Sequence, residues 1–392
     1  MTAVSSATLA NRLRPLFEEN FARFGELGAA VSIWQNGAPV LELHGGYRDA
    51  QRRTAWTPDT LVLFWSATKG LGSACLLHVL QEHQIGLERR VAEFWPAFTQ
   101  SGKSEITLAQ LLSHRAGLAA FDESVNVLDY AAVVRALEKQ RPLWPPGTAH
   151  GYHARTFGFL LDELVRRIDS RSIGAYWREV FAEPLGLDIW IGLPAGENHR
   201  VATIYAAKAS GTAPPDAFYR ALSQTGTIQR KAFTSPHGLH TVSAMNSPEN
   251  RARAFVSFGG IGSAASLAKF YAMLANGGAL GAQRFFSSET LERMTNTLAS
   301  GLDRVFGITT AFSAGFMKDP NETSRRIFGP SRLAFGHPGA GGSHALADPE
   351  NNLSFVYVMN QMEQKLLPNE KSLRLIDTLY QEPPLQIPSG RL

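Results

Sequence analysis

Hydrophobic positions change period several times along the chain, and the changes mark out its elements. Leu9, Leu13, Leu16, Phe17, Phe21 and Phe24 recur at helical spacing and predict an amphipathic first helix. Ala30-Val31-Ser32-Ile33-Trp34 and Val40-Leu41-Glu42-Leu43-His44 then flank Asn36-Gly37, a pair that tolerates positive φ and so predicts a β-hairpin. The unbroken apolar run Leu61-Val62-Leu63-Phe64-Trp65 reads as a buried strand, with helix from Gly70 onward. From about 72 to 185 the pattern is mostly helical. Thr107 and Gln110 have capping-box spacing, and Phe157, Leu160, Leu161, Leu164, Val165 and Ile168 form one stripe. Residues 190–250 are irregular and predict a long substrate-facing loop region, with Trp190, Tyr205, Phe218, Tyr219 and Phe233 as candidate pocket walls. A helix at about 263–276, a strand over Leu353–Met359 and a helix near 370–381 follow. Strands at both ends with helices between them predict an α+β fold whose N- and C-terminal segments share one antiparallel sheet.

Composition narrows the function classes. The chain has 392 residues, 44% hydrophobic and 18% charged, enough for one or two buried cores. Its net charge is +4, and the basic residues come in scattered pairs such as Arg52-Arg53 and Arg325-Arg326. No basic stripe points to nucleic acid as a partner. The sole cysteine, Cys75, excludes an intrachain disulfide and falls at an apolar helical position. The start lacks the basic-then-apolar pattern of a signal peptide, and the charge-free stretch between Arg253 and Lys269 is too short to cross a bilayer. A soluble cytoplasmic protein with no membrane span is the expectation; whether it forms a homo-oligomer is open.

The chemistry centres on Ser66-Ala67-Thr68-Lys69, where the apolar strand meets the helix. Positions i and i+3 share a helix face, so the Lys69 amine is within reach of the Ser66 hydroxyl. The positive end of the helix dipole favours the oxyanion formed after attack. A serine acyl-transfer enzyme working without a catalytic histidine needs this arrangement. Spacing alone is weak, since about one Ser-x-x-Lys arises by chance in a chain of this length. A second copy, Ser266-Leu267-Ala268-Lys269, lies in an amphipathic helix pattern and reads as structural, with Lys269 facing water. Two further stretches support the first copy. Tyr152 lies in the Pro/Gly-rich loop Trp144-Pro145-Pro146-Gly147-Thr148-Ala149-His150-Gly151-Tyr152, and its hydroxyl relays a proton if a cation lowers its pKa. Phe335-Gly336-His337-Pro338-Gly339-Ala340-Gly341-Gly342-Ser343 is a glycine cluster that lets the backbone approach a ligand closely.

Ser66-x-x-Lys69, then Tyr152, then His337-x-Gly339 come in the order of the serine β-lactamase and penicillin-binding-protein superfamily. The chain most resembles the family VIII carboxylesterases and their class C β-lactamase-like relatives, over about residues 25 to 365. Leu111-Leu112-Ser113-His114-Arg115-Ala116-Gly117-Leu118 and Gly259-Gly260-Ile261-Gly262-Ser263 support the likeness. The resemblance implies a β-lactamase/transpeptidase-like fold: a sheet domain from residues 1–75 and 250–392, and an inserted mainly helical domain, 76–249, with the site at the seam. It implies Ser66 as nucleophile and Lys69 as general base or as holder of the proton network. Tyr152 becomes the proton shuttle to the leaving alcohol and helps activate the deacylating water, the choice of base between Lys69 and Tyr152 staying open. The N–H groups of Ser66 and Ala340 form the oxyanion hole, with Gly341 an alternative donor. His337, Gly339 and Gly341 would line the substrate site. The substrate is then a small-molecule ester, and neither cofactor nor metal is required.

Two departures from the β-lactamase pattern bear on the substrate. Ala154 stands where those enzymes carry an Asn that bonds the β-lactam side chain, and His337 stands where they carry a lysine. A histidine of ordinary pKa near 6.5 is mostly neutral at pH 7. The losses remove two contacts of about 1–3 kcal/mol each, which a neutral ester does not use. A carboxylesterase for short- to medium-chain esters is therefore expected ahead of a β-lactamase, a D-amino-acid peptidase or amidase, an acyltransferase, or a non-catalytic binding protein. The nearest approach to a nucleophile elbow is Gly341-Gly342-Ser343-His344-Ala345, which lacks the second glycine of Gly-x-Ser-x-Gly. The pairs His150/His153 and His237/His240 lack a His-Glu-x-x-His helix and read as loop histidines, and His114 as a structural one.

Overall fold

In the computed structural model, which describes residues 6–208, 217–322 and 325–381, the two ends of the chain meet in one sheet. The hairpin of β1 (Gly28–Gln35) and β2 (Ala38–Gly46) turns at Asn36 and Gly37, with φ of 52° and 76°. Strands β3 (Val62–Leu63) and β4 (Ile189–Ile191) flank β5 (Gly260–Gly262) in a separate three-stranded sheet, and β6 (Ala279–Leu280) and β7 (Gln283–Arg284) form a small ribbon. The main sheet is completed by β8 (Ala299–Leu302), β9 (Thr309–Phe312), β10 (Met317–Lys318), β11 (Phe335–Gly336), β12 (His344–Asp348) and β13 (Leu353–Met359). Its eight strands run β2-β1-β13-β12-β11-β10-β9-β8, every neighbouring pair antiparallel. The expected α+β arrangement is the one observed.

Both faces of the sheet are covered, which is why β13 reads as nearly continuous apolar sequence. Its alternate residues Val356 and Val358 pack in the core with the helix Ala264–Ala275, and Ser354 donates to Ala268 O at 2.8 Å. Phe355, Tyr357 and Met359 point the other way, into a core shared with α1 (Ser6–Arg23) and the helix Glu370–Leu379. A buried ionic cluster fastens that second layer. Lys371 Nζ lies 3.2 Å from Glu26 and 2.9 Å from Glu363, and the Tyr357 hydroxyl donates to Glu26 at 2.7 Å.

Two local expectations are corrected. The strand expected over 61–65 is limited to Val62–Leu63, because Phe64 N–H donates to Gly260 O and the chain then turns sharply at Trp65. Helix α2 (Thr68–Glu82) accordingly begins before Gly70. The segment 190–250 is less irregular than its composition implies; residues 209–216 of it lie outside the described residues. It holds the helices Ala217–Ser223 and Ile228–Thr234, the second capped by Thr227, whose hydroxyl accepts from Arg230 N–H. Helices of about two turns are too short for periodicity to register. Among the described residues no helix is long and apolar enough to cross a membrane.

Candidate active site

Ser66 occupies a 3₁₀ turn, Trp65–Ala67, that runs directly into α2. The turn rests on Trp65, whose φ of 53° is one that a bulky side chain rarely adopts. Hydrogen bonds on either side hold it there. Thr68 Oγ1 donates to Trp65 O at 2.5 Å and accepts from Gly260 N–H at 2.8 Å. Close approach from the third motif adds to this: a Cβ on Gly339 would lie 2.1 Å from Phe64 O, so only glycine allows the two segments to meet. The serine is thereby presented, half-buried, at a fixed point between α2 and the main sheet.

Lys69 lies one turn further on and is fully buried. Its Nζ donates to Ala154 O and to Ser257 O, each at 2.8 Å, and sits 3.4 Å from Ser66 Oγ. Burial holds its pKa well below the ordinary lysine value, and the nearby Arg155 charge pushes the same way; no carboxylate offsets them. A neutral amine has two N–H groups and one lone pair. In that neutral form, with both N–H groups on main-chain carbonyls, the amine would turn its lone pair to the serine hydroxyl. Ser257 is itself fixed, its Oγ donating to Arg155 O at 3.0 Å and accepting from Gly158 N–H at 2.6 Å.

Tyr152 is buried above this pair, its ring centroid 4.8 Å from Lys69 Nζ. Its main chain is anchored by Asp303, a fully buried residue whose Oδ1 accepts from the N–H groups of Tyr152, Val305 and Phe306. The hydroxyl lies 3.4 Å from His337 Nε2. His337 Nδ1 sits 2.8 Å from Pro338 O, so that nitrogen carries the proton and Nε2 accepts from Tyr152. Burial is the main cause that brings His337 down to about 3, which keeps the imidazole neutral near pH 7. Burial, reinforced by Asp303, raises the Tyr152 pKa despite the opposing hydrogen bond with Ser66. The tyrosine is a phenol at rest, a proton donor rather than a standing base.

The structure brings Ser66, Lys69, Tyr152, His337 and Gly339 to one point. Ala340 and Gly341 follow in a short turn, Ala340–Gly342, with Ala340 exposed and Gly341 O accepting from Glu363 N–H. The other flagged residues have structural work. His153 accepts from Leu118 N–H at Nε2, leaving Nδ1 to donate to Gly151 O. His114 stacks among Tyr152, Phe157 and Phe312, and its Nδ1 accepts from His153 N–H. In the second Ser-x-x-Lys copy, Ser266 Oγ accepts from Asp188 N–H, and Lys269 is half-buried rather than fully solvated. Of the aromatic candidates, Phe218 and Phe233 pack on Phe306 beside Tyr152, with Tyr219 behind Phe218. Trp190 lies in β4 under Arg178, and Tyr205 accepts from Ala50 N–H; neither borders the site.

Asp303, Ser257, Arg155 and Phe306 were not singled out by the sequence. They act on the site through main-chain groups or ring stacking, and no spacing rule links them to Ser66. Arg155 is the most consequential. It is buried without a carboxylate, its guanidinium donating to Gly238 O at 2.6 Å and Phe233 O at 3.4 Å. Arg155→Met removes a positive charge from the surroundings of Lys69 and thereby raises the lysine pKa. If neutral Lys69 is the working base, the acid limb of a kcat/KM profile moves to higher pH in this variant. A lower profile with an unmoved limb would reduce Arg155 to a packing residue.

Comparisons with known proteins identify the family of the chain. A family model described as Beta-lactamase matches residues 17–377. The esterase/beta-lactamase LipL of Mycobacterium tuberculosis is 30% identical over 360 residues, which cover 88% of this chain and 79% of that protein. A family VIII carboxylesterase of known structure has TM-score 0.84 and 35% identity, covering 95% of this chain and 97% of its own. EstA from Arthrobacter nitroguajacolicus Rue61a has TM-score 0.83 and 30% identity, covering 97% and 98%.

Proposed function

Since this chain belongs to the Beta-lactamase family, we propose that it is a serine carboxylesterase that cleaves small esters through an acyl-enzyme on Ser66. One observation carries the reading. The Lys69 amine is fully buried, spends two N–H groups on Ala154 O and Ser257 O, and turns its remaining position to Ser66 Oγ at 3.4 Å. That distance is long for a resting hydrogen bond and of the kind that tightens when substrate fills the site. Ser66 Oγ attacks the ester carbonyl while Lys69 Nζ takes its proton, and the oxyanion is held by the N–H groups of Ser66 and Ala340. As the intermediate collapses, Tyr152 gives its proton to the departing alkoxide and is reprotonated from Lys69. Water then attacks the acyl carbonyl, losing its proton to the same pair, and Ser66 leaves as the alcohol. His337, accepting from Tyr152 through Nε2, aims the phenol.

The preference for esters over β-lactams follows from the two departures. Ala154 offers no side-chain amide, and its carbonyl is already occupied by Lys69. Neutral His337 presents a lone pair where a substrate carboxylate needs a cation. Two missing contacts of about 1–3 kcal/mol each correspond to a preference of about 30-fold or more. Turnover of p-nitrophenyl acetate through decanoate is therefore expected to exceed that of a chromogenic cephalosporin by that margin in kcat/KM. Comparable rates on the two substrates would overturn the ester assignment.

A further inference from the structure

A cavity of about 450 Å³ lies against Phe306, the ring that stacks on Tyr152, and is used by no step above. Its walls are Phe218, Phe306, Ile308, Leu366, Leu367 and Pro368. Two observations connect it to the site. Phe306 stacks on Tyr152, ring centroids 4.5 Å apart and planes 25° apart, and both main chains hang from the same Asp303 oxygen. The opposite wall continues from Met362 and Glu363. Glu363 N–H donates to Gly341 O, and a Cβ on Gly341 would strike Met362 at 2.5 Å. The ion pair of Glu363 with buried Lys371 pins the root of that wall. The cavity is thus joined to Tyr152 through Phe306 and to the third motif through Met362 and Glu363.

An ester has two halves, and Tyr152 distinguishes between them. The group that protonates the departing alkoxide must face the alcohol half, so a cavity on the tyrosine side faces that half and not the acyl half. We propose that this cavity binds the alcohol moiety of the substrate, and that the enzyme selects esters of uncharged, apolar alcohols of about four to eight carbons. This rests on the esterase reading and goes beyond it by naming the half of the substrate that is read. The volume falls within the ordinary range of small-ligand pockets, about 300–1,000 Å³. Among the described residues, Lys365 is the charged member of the lining and is exposed, and no acidic residue lines the cavity. An alcohol ending in a cation therefore finds no anionic partner among these residues, only the Gln229 amide, and meets a like charge.

Two ester series separate the halves. In one, acetyl is fixed and the alcohol runs from methanol to 1-hexanol, with 6-aminohexyl acetate as the cationic member; in the other, methanol is fixed and the acid runs from acetic to hexanoic. In the alcohol series kcat/KM is expected to rise by up to about fourfold per methylene, and by about 30-fold or more overall. The aminohexyl ester should fall well below hexyl acetate. Leu366→Trp fills the cavity and should cut the hexyl-to-methyl ratio by about tenfold or more. The ratio is taken within one preparation, so a partly folded variant does not imitate the effect. A flat alcohol series, or a ratio untouched by Leu366→Trp, overturns the proposal while leaving the esterase standing. No turnover in either series overturns the esterase reading and this proposal with it.

Discussion

Ser66→Ala is expected to lower kcat for p-nitrophenyl ester hydrolysis by about 10⁴-fold or more, with the thermal unfolding midpoint within about 2 °C of wild type. The loss is large because the hydroxyl is the atom that becomes acylated. What remains is whatever the oxyanion donors and binding achieve with water as nucleophile. The fold should be indifferent, because the turn is held by Thr68, Gly260 and Gly339 rather than by the serine side chain. A serine-directed phosphonate with intact-mass readout gives a second, independent test. Wild type should gain one adduct and Ser66→Ala none. The rival nucleophile is Ser343, in the near-miss Gly341-Gly342-Ser343-His344. Its hydroxyl is fully buried without a partner, and the adjacent His344 turns its Nδ1 to Ser372 at 3.2 Å. Turnover or labelling that survives Ser66→Ala would falsify the nucleophile assignment.

Which features were legible in the sequence follows from how far apart their causes lie along the chain. The Asn36-Gly37 hairpin, the stripe in the helix Thr156–Asp169 and the apolar β13 announce themselves because their determinants are local. Ser66, Lys69 and Tyr152 were legible for a different reason: their chemistry requires those residue types, and a short motif surrounds each. The support for that chemistry was not legible. Lys69 is held by carbonyl oxygens, which every residue carries, so nothing in the letters Ala154 or Ser257 marks them as its partners. Asp303 looks like any turn aspartate until the fold sets Tyr152 N–H against it, 151 positions away in sequence. Burial decides protonation in the same non-local way. A loop tyrosine relays a proton readily if a neighbouring cation lowers its pKa. Full enclosure instead raises the Tyr152 pKa and lowers that of Lys69, the directions that support the division of roles proposed above.

Paired substitutions at Lys69 test that division of labour. Lys69→Met is expected to lower kcat/KM for esters by about 10³-fold or more, in the range of a lost general base that also initiates attack. Lys69→Arg is expected to fare no better, although it keeps a positive charge and several donors. A guanidinium does not deprotonate in a protein and has no lone pair to offer Ser66. If Lys69 served only to hold charge or to bridge Ala154 O and Ser257 O, the arginine variant would recover activity to within about tenfold of wild type. That result would return the base role to Tyr152. Stability against pH provides a readout separate from catalysis. The folded-state pKa of Lys69 lies below its ordinary value of 10.5, so the native protein binds fewer protons here than the unfolded chain. The resulting penalty is full below the folded pKa and fades as pH rises through the unfolded one. Wild type should therefore gain stability across that window by more than Lys69→Met does, whatever the variant loses by leaving two carbonyls unpaired. Equal pH slopes for the two proteins would mean that Lys69 is buried as an ammonium, and an ammonium cannot accept the serine proton.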